Sequence, residues 1–242
     1  MKNELNSIVK NKNAVIGFAS IDRFDNLPHK YNPKYYMSNC KTVIVLGIKI
    51  PHSVFYCDNY GLHFIQKANI VAFDILDELS QEITNYLESK NIKSIPIPSF
   101  APMKLDNFYP QGLISLKNAA VQAGLGKLGK NDIVYHNEYG GFIRFSSIIT
   151  EVDIEADKID KSTLCNENCR ICIDKCPAKA ITDKGYDRKK CFKYTFDHGL
   201  KPMMMFNLNK IEKLMNTSFY NYWSNCCECT INCPMNIKSS ST

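Results

Sequence analysis

The sequence contains no hydrophobic run long enough to cross a membrane. Its longest apolar stretch, residues 43–48, is far shorter than the roughly 20 residues that a bilayer requires. The N-terminus places Glu4 and several asparagines among its lysines, without the apolar core of a signal peptide. We therefore expect a cytoplasmic protein with no membrane partner.

The chain also lacks the composition of a disordered or fibrous protein. Its 242 residues are 45% hydrophobic, which is enough for one large domain or for one medium and one small domain. The 30 basic residues outnumber the 24 acidic residues, but they are scattered and form no continuous stripe. Composition alone therefore predicts no nucleic-acid surface.

Cysteine is scarce in the first part of the chain and dense in the rest. Of the 11 cysteines, Cys40 and Cys57 precede residue 165, and the other nine lie within residues 165–233. In a reducing compartment such density favours metal ligation over disulfides. The distribution predicts two domains, residues 1–155 and residues 156–242, and the second should depend on its bound groups for folding.

The first domain mixes helix and strand patterns. The most regular pattern is the apolar repeat at spacings of three and four between Ile65 and Leu87, which predicts an amphipathic helix. The other expected elements are a helix at residues 4–10, strands at residues 14–19, 42–50, 94–97 and 132–135, a helix capped by Ser115, and a hairpin around Gly140 and Gly141. This mixture predicts an α+β fold.

The cysteine spacing is typical of a module with two iron–sulfur clusters. Residues 165–177 read C-x3-C-x2-C-x3-C-P, and residues 226–234 read C-x2-C-x3-C-P after the isolated Cys191. In such runs the closely spaced cysteines hold one cubane, and the cysteine before the proline ligates the other. The predicted ligands are Cys165, Cys169, Cys172 and Cys233 for the first 4Fe-4S cluster, and Cys176, Cys191, Cys226 and Cys229 for the second.

Two alternatives stay open for these cysteines. Two zinc sites would use the same ligands, although zinc ribbons pair C-x2-C with C-x2-C and do not need the trailing C-P. Disulfides would require an oxidising compartment. Cys227 is expected to be a bystander, with a one-residue shift that puts it in place of Cys226 as the alternative. We expect Cys40 and Cys57 to be packed thiols.

A glycine-rich segment at residues 124–131 carries two partial nucleotide-binding patterns. It matches G-x-G-x-x-G, and it falls one residue short of a P-loop, with Asn131 where Ser or Thr should stand. Both patterns need a strand before and a helix after, whereas this segment follows a predicted helix and precedes a predicted strand. Two interpretations remain. The backbone approaches a large flat ligand, with Lys127 or Lys130 near a negative group, or Gly124 is a helix C-cap before an irregular turn.

Together these motifs resemble the epoxyqueuosine reductases and their relatives, the reductive dehalogenases. The resemblance rests on residues 116–131, on Glu138-Tyr139-Gly140, on a strand ending at residues 149–150 and on the two cysteine groups. It implies a nitroreductase-like cobalamin-binding domain followed by a ferredoxin-like domain with two 4Fe-4S clusters. It also implies that cobalamin is contacted by Gly124, Leu125, Gly126, Gly129, Lys130 and Asn131.

The resemblance implies an oxidoreductase in which two clusters pass electrons to a corrinoid that reduces a substrate. A donor such as ferredoxin or flavodoxin would supply the electrons. Two alternatives are a non-catalytic electron-transfer or corrinoid-reducing partner protein, and a flavin-dependent reductase on the same fold.

The sequence departs from the family at two places. Where the family has a proton-donating Asp in Asp-Thr-Ala-Pro, residues 99–102 begin with Ser99, so the catalytic acid stays unknown, with Lys104, Asp106 and Tyr109 as unassigned candidates. The family continues into a helical-repeat domain that grips tRNA, whereas this chain ends eight residues after Pro234. We therefore expect a small-molecule substrate and not tRNA.

Overall fold

A computed structural model describes most of both predicted domains. The described residues are 1–10, 12–59, 61–100, 104–106, 109–198 and 226–237, with backbone alone for 104–106, 109–110, 196–198 and 237. The helices are α1 (Lys2–Lys10), α2 (Gly61–Ser89), α3 (Leu116–Gln122), α4 (Ile171–Asp174), α5 (Arg188–His198), α6 (Glu228–Ile231) and α7 (Pro234–Ile237). The strands are β1 (Ala14–Ser20), β2 (Thr42–Lys49), β3 (Ser94–Ile97), β4 (Lys104–Asp106), β5 (Tyr109–Gln111), β6 (Lys127–Leu128), β7 (Val134–Tyr135), β8 (Ile143–Thr150), β9 (Ile181–Thr182) and β10 (Gly185–Tyr186).

A four-stranded antiparallel sheet forms the centre of the first domain, in the order β1-β2-β8-β3. β2 pairs with both neighbours, so that Leu46 lies opposite Ile16 on β1 and opposite Ser146 on β8. β2 is buried at seven of its eight positions, as its β-branched run predicted. β2 and β8 are therefore the central strands of the domain.

The two faces of the sheet carry separate apolar cores. Side chains alternate along a strand, and Ile44, Leu46 and Ile48 of β2 pack with α1 and α2. Val43 and Val45 pack with α3 on the opposite face. The first domain is therefore a sheet covered by helices on both sides.

α2 is a 29-residue helix that contains the whole predicted pattern of residues 65–87. Its apolar positions Leu76, Leu79 and Ile83 are almost fully buried against the sheet. Two polar side chains of the same helix, Gln66 and Asn69, are also buried. Apolar packing does not account for these two residues, which face the cavity described below.

α3 begins and ends with capping interactions that its sequence predicted. Ser115 Oγ accepts a hydrogen bond from the amide of Asn118 at 3.3 Å. At the other end Gly124 has φ +72°, and the amide of Leu125 donates to the carbonyl oxygen of Ala120 at 2.9 Å. The C-cap interpretation of Gly124 therefore describes its conformation.

The hairpin predicted around Gly140 and Gly141 is wrong in its strand pairing. His136 and Gly140 form an isolated antiparallel bridge across a tight turn. However, β7 before the turn pairs with β6, and β8 after it pairs with β2 and β3. The turn joins two different sheets, because the apolar residues of β8 fill the centre of the main sheet.

The cysteine-rich part is built from short elements around a small core. Ile173, Ala180 and Ile181 are buried there together with Cys172 and Cys176. Each strand of the hairpin β9–β10 is two residues long, and helices α4 and α6 are four residues long each. A core of this size contributes little stability without a cross-link.

The segment after β8 is fastened to the first domain. The amide of Asp157 donates to the carbonyl oxygen of Phe18 at 2.8 Å, and its carboxylate accepts from the amide of Phe18 at 2.9 Å. Arg23 donates to the carbonyl oxygen of Asp157 at 2.9 Å. These bonds lie beside the predicted boundary at residue 155, and the division into two domains stays a prediction.

Among the helices that the structure describes, none combines the length and the hydropathy of a membrane span.

Candidate cluster and cofactor site

One small cavity is lined by the four cysteines predicted to hold the first cluster. Cys165, Cys169, Cys172 and Cys233 surround a space of about 190 Å³. The turn into α7 carries Cys233 to the three cysteines of the first group, although the two segments are far apart in sequence. We name this space the first cavity.

The other four predicted ligands line a larger space of about 260 Å³, the second cavity. They are Cys176, Cys191, Cys226 and Cys229. Each cavity therefore contains one complete predicted set, including the cysteine contributed from the other group. This placement agrees with the crossed assignment, while ligation of a cluster stays a prediction. Cys227 lines the second cavity as well and also packs against the α2 core.

The cysteine thiols of each set affect the ionisation of one another. Burial and then the charges of Cys226, Cys191 and Cys176 raise the pKa of Cys229 to about 12. Burial, followed by the other thiols of the first set, also raises the pKa of Cys172. A positively charged metal core would reverse this effect and stabilise four thiolates. The donor set therefore fits a 4Fe-4S cluster in each cavity.

No group of three or more His, Cys, Asp or Glu side chains within the described part of the chain is arranged around a single metal ion. The two remaining cysteines differ from each other in exposure. Cys40 is buried in the α3-side core, and burial raises its pKa to about 11, whereas Cys57 is exposed. The packed-thiol prediction therefore holds for Cys40 and is wrong for Cys57, because Cys57 follows a short 3-10 helix at the surface.

Lys130 holds the loop that carries the first cysteines. Its Nζ donates to the carbonyl oxygens of Asn166 at 3.3 Å, Glu167 at 2.8 Å and Cys169 at 3.1 Å. These three bonds match the three donors of an ammonium group. Lys130 therefore fixes the backbone around the first cavity.

Asn131 and Tyr135 link the two cysteine sets. The buried Asn131 donates from Nδ2 to the phenol oxygen of Tyr135 at 2.8 Å and to the carbonyl oxygen of Cys229 at 3.0 Å. Tyr135 lines the first cavity together with Cys233, and burial, followed by its interaction with Cys233, raises the pKa of Tyr135. A hydrogen-bonded path therefore runs from Cys229 of the second set to Tyr135, beside Cys233 of the first set.

The glycines of the segment 124–131 allow close backbone approach within the protein. A Cβ at Gly126 would lie 2.5 Å from the carbonyl oxygen of Tyr135, and one at Gly129 would lie 2.9 Å from the ring of Tyr135. Leu125 is buried in the α3-side core. Of the six residues predicted to contact cobalamin, Asn131 lines the second cavity. The predicted contacts themselves stay a prediction.

The second cavity extends from its cysteines along α2. Its wall there is apolar, with Leu62, Ile65 and Phe73, and includes the buried amides of Gln66 and Asn69. Among the described residues, Asn69 Oδ1 has no hydrogen-bond partner. An unpaired buried carbonyl indicates a missing donor. A flat corrin ring with amide side chains fits this combination of apolar wall and orphaned polar atom.

An open groove of about 650 Å³ adjoins the second cavity, and Phe100 and Lys117 line both spaces. Ser99 also lines the groove, where its amide donates to Asp77 Oδ1 at 2.8 Å and its hydroxyl to the carbonyl oxygen of Phe73 at 3.2 Å. Residues 101–103 and the side chains of Lys104, Asp106 and Tyr109 lie outside the described residues. The catalytic acid therefore stays unassigned.

Arg144 is a residue of the site that the sequence interpretation missed. It lies on β8 and lines the second cavity, and burial lowers the pKa of its guanidinium. Its signal in the sequence is a single charge inside the apolar run of residues 143–150. Gln66 and Asn69 give a similar signal, because they are polar residues on the buried face of α2.

No protein-family model matches the sequence. Curated epoxyqueuosine reductases align with nearly the whole chain. The protein from Lactococcus garvieae is 25% identical over 248 residues, covering 95% of this chain and 61% of the relative. The protein from Bacillus subtilis is 21% identical over 258 residues, covering 91% of this chain and 59% of the relative.

Solved structures share the fold. Epoxyqueuosine reductase from Streptococcus thermophilus has a TM-score of 0.64 at 20% identity and covers 98% of this chain and 66% of the relative. A catabolic reductive dehalogenase has a TM-score of 0.62 at 15% identity and covers 96% of this chain and 31% of the relative. The resemblance of the chain to epoxyqueuosine reductases and reductive dehalogenases is confirmed. The predicted α+β family fold is confirmed, and the ferredoxin-like cluster domain stays a prediction.

This epoxyqueuosine reductase-like chain spans about 60% of the length of the curated relatives it matches, 61% and 59%. The expectation that excluded tRNA as a partner is wrong. One structural relative is an epoxyqueuosine reductase with a tRNA-Tyr epoxyqueuosine-modified stem loop, at a TM-score of 0.66 and 19% identity. The expectation relied on where the given sequence ends after Pro234, and that position does not decide which partner the chain binds.

Proposed function

We propose that this chain is the reductase part of an iron–sulfur and cobalamin-dependent enzyme. The observation that carries the proposal is the sorting of eight cysteines into two cavities, one of which continues along α2 past an orphaned amide oxygen. Four thiols around each space suit a 4Fe-4S cluster. The apolar wall and the amides of α2 suit a corrin with its amide side chains.

The residues of the chain have separable roles in this proposal. Bound cobalamin would supply a low-potential cobalt centre for reduction of the substrate. Gln66 and Asn69 would orient it through its amides, while Phe73 and Phe100, whose rings stack with centroids 5.2 Å apart, exclude water from the junction with the groove. Asn131 and Tyr135 hold the two cysteine sets in fixed relation.

The open groove supports a catalyst more than a closed electron carrier. It meets the second cavity at Phe100 and Lys117, so a substrate in the groove would reach the cofactor edge. Its lining includes the basic side chains of Lys117 and Arg188. Because curated relatives are named for epoxyqueuosine reduction and one was solved with a modified tRNA stem loop, epoxyqueuosine in such a stem loop is the proposed substrate class.

The test begins with anaerobic purification, reconstitution with iron and sulfide, and addition of cobalamin. We expect about eight iron atoms per chain, because two clusters contain four each. EPR after partial reduction should show 4Fe-4S signals and a protein-bound base-off Co(II) signal. Incubation with an epoxyqueuosine-containing stem loop and a low-potential reductant should then convert epoxyqueuosine to queuosine, measured by mass spectrometry.

The outcomes separate the parts of the proposal. Cluster signals with cobalamin left free would overturn the corrinoid enzyme and leave a flavin-dependent reductase or an electron-transfer partner. Bound cobalamin without conversion of the stem loop would overturn the substrate class alone. Cys57→Ser is the matched cysteine control, because Cys57 lies outside both cavities and should leave the iron content unchanged.

A further inference from the structure

A positively charged side chain lies in the wall of the second cavity. Arg144 sits on the central strand β8, opposite Ile48 of β2. It lines the cavity together with the second cysteine set. The position belongs to the sheet face that packs against α2, where most neighbouring strand residues are apolar.

Among the described groups, the guanidinium of Arg144 interacts electrostatically with the thiol of Cys227 and pairs with no carboxylate. Its Nη1 donates to the carbonyl oxygen of Ile143 at 2.8 Å. In the part of the chain that the structure describes, no carboxylate lies within ion-pair distance of this guanidinium. A guanidinium has five donors, and even a half-buried charge without an anion is costly. The arrangement therefore calls for an anion inside the cavity.

The proposed function supplies such an anion, and the inference rests on it. A 4Fe-4S core of charge 2+ with four thiolates carries a net charge of about −2, and one-electron reduction makes it about −3. We propose that Arg144 is the counter-ion of the second cluster and raises its reduction potential. The fixed positive charge stabilises the reduced cluster more than the oxidised one, and the effect is stronger beside the apolar side chains of this wall than it would be in water.

This placement has a consequence for the direction of electron flow. The cation that lines the first cavity, Lys130, has its three donors on backbone carbonyls, and no arginine is among the described residues of that lining. The charge of Arg144 therefore makes electron transfer from the first cluster to the second more favourable than it would be without that charge. Arg144 is a positioning residue in this scheme, because it acts through the cluster.

The experiment is an anaerobic redox titration of the reconstituted holoprotein, followed by EPR, without any substrate. Arg144→Met removes the charge and keeps a long apolar side chain, and Arg144→Lys retains the charge. Lys34→Met is the control, because Lys34 is exposed, pairs with Asp25 and lines neither cavity. Iron content is measured for every variant, so that cluster assembly and potential are read separately.

In Arg144→Met we expect one cluster potential to become more negative, with at least a tenfold change in the one-electron equilibrium, which is about 59 mV. The other potential should stay within error, Arg144→Lys should restore most of the shift, and Lys34→Met should resemble the wild type. If Arg144→Met loses the second cluster, restored cluster loading in Arg144→Lys supports the role of Arg144 as its counter-ion.

Three results would overturn the inference. The first is full iron content in Arg144→Met with both potentials unchanged. The second is a loss of loading that Arg144→Lys does not restore, since that indicates a role in shape. The third is an equal shift in Lys34→Met, which indicates net charge alone. A wild-type chain that binds no clusters would instead overturn the proposed function, and the iron analysis distinguishes this case.

Discussion

The side chain of Asn131 donates a hydrogen bond of 2.8 Å to the phenol oxygen of Tyr135, deep between the two cysteine sets. Asn131 also donates to the carbonyl oxygen of Cys229, and Tyr135 lines the first cavity beside Cys233. Two neighbouring residues of one short segment therefore contact both predicted cluster sites. The effect of a substitution that removes a single polar group can therefore be assigned to one predicted cluster site or the other.

Tyr135→Phe should lower the reduction potential of the first cluster. A hydroxyl group beside the cluster sulfurs stabilises the reduced state, and this substitution removes the phenol oxygen beside Cys233 while keeping the ring that packs against Gly129 and Gly141. We expect a full iron content and one potential that is more negative in an EPR-monitored titration. Tyr86→Phe is the control, because Tyr86 interacts with Glu4 and Lys90 and does not line either cavity. Unchanged potentials would contradict an effect of the Tyr135 hydroxyl on the first cluster.

Lys130→Met should abolish loading of the first cluster while sparing the second. Removal of Nζ leaves the carbonyl oxygens of Asn166, Glu167 and Cys169 without their shared donor, so the loop loses the geometry that aims its cysteines. Iron content should fall from about eight to about four atoms per chain. Lys34→Met, at an exposed site, should keep the full content. A fully loaded Lys130→Met protein would show that the cluster itself organises the loop.

The spacing of the cysteines groups them in the way that they line the two cavities, while ligation of a cluster stays a prediction. The trailing Cys176 and Cys233 each lie in the cavity of the opposite group, as their C-P context predicted. The long helix and the cap at Ser115 were also predictable, since both depend on periodicity and neighbouring residues.

Features that depend on long-range pairing were not predictable in the same way. The turn at Gly140 has the local signs of a hairpin, but the strand after it joins β2 and β3. Arg144 and Asn69 look like isolated polar residues in apolar patterns, and their shared cavity is visible only once α2 packs on β8. The segment 124–131 suggested a ligand contact, whereas in the fold it also bonds to the cysteine-rich part through Lys130 and Asn131.

Gly124→Ala should destabilise the protein by about 2 kcal/mol or more. Gly124 has φ +72°, where an L side chain costs about 1–2 kcal/mol, and an added Cβ would lie 2.5 Å from the carbonyl oxygen of Lys158. The thermal unfolding midpoint of the holoprotein should fall by several degrees. Gly61→Ala is the matched control, because its Cβ would lie 3.8 Å from the Cβ of Cys57 in open surroundings. Equal midpoints for the two variants would refute the role of the left-handed C-cap.

Asn236→Ala should loosen the segment that carries the last three predicted ligands. Asn236 is fully buried, its Oδ1 accepts from the amide of Gly141 at 2.7 Å, and its Nδ2 donates to the carbonyl oxygen of Thr230 at 2.6 Å. Each backbone group left unsatisfied costs about 1–3 kcal/mol, so we expect a local destabilisation of about 2 kcal/mol or more.

Local opening of residues 226–237 would expose Cys226, Cys229 and Cys233 to solvent, because Asn236 ties this segment to the turn before β8. Iron release to a chelator under anaerobic conditions should therefore be at least tenfold faster in Asn236→Ala, since about 1.4 kcal/mol corresponds to a factor of ten. Asn232→Ala is the control, because Asn232 bonds to Glu228 within its own short helix and is partly exposed. Equal release rates in the two variants would mean that the bonds of Asn236 do not limit opening, and that the clusters are lost through another part of the chain.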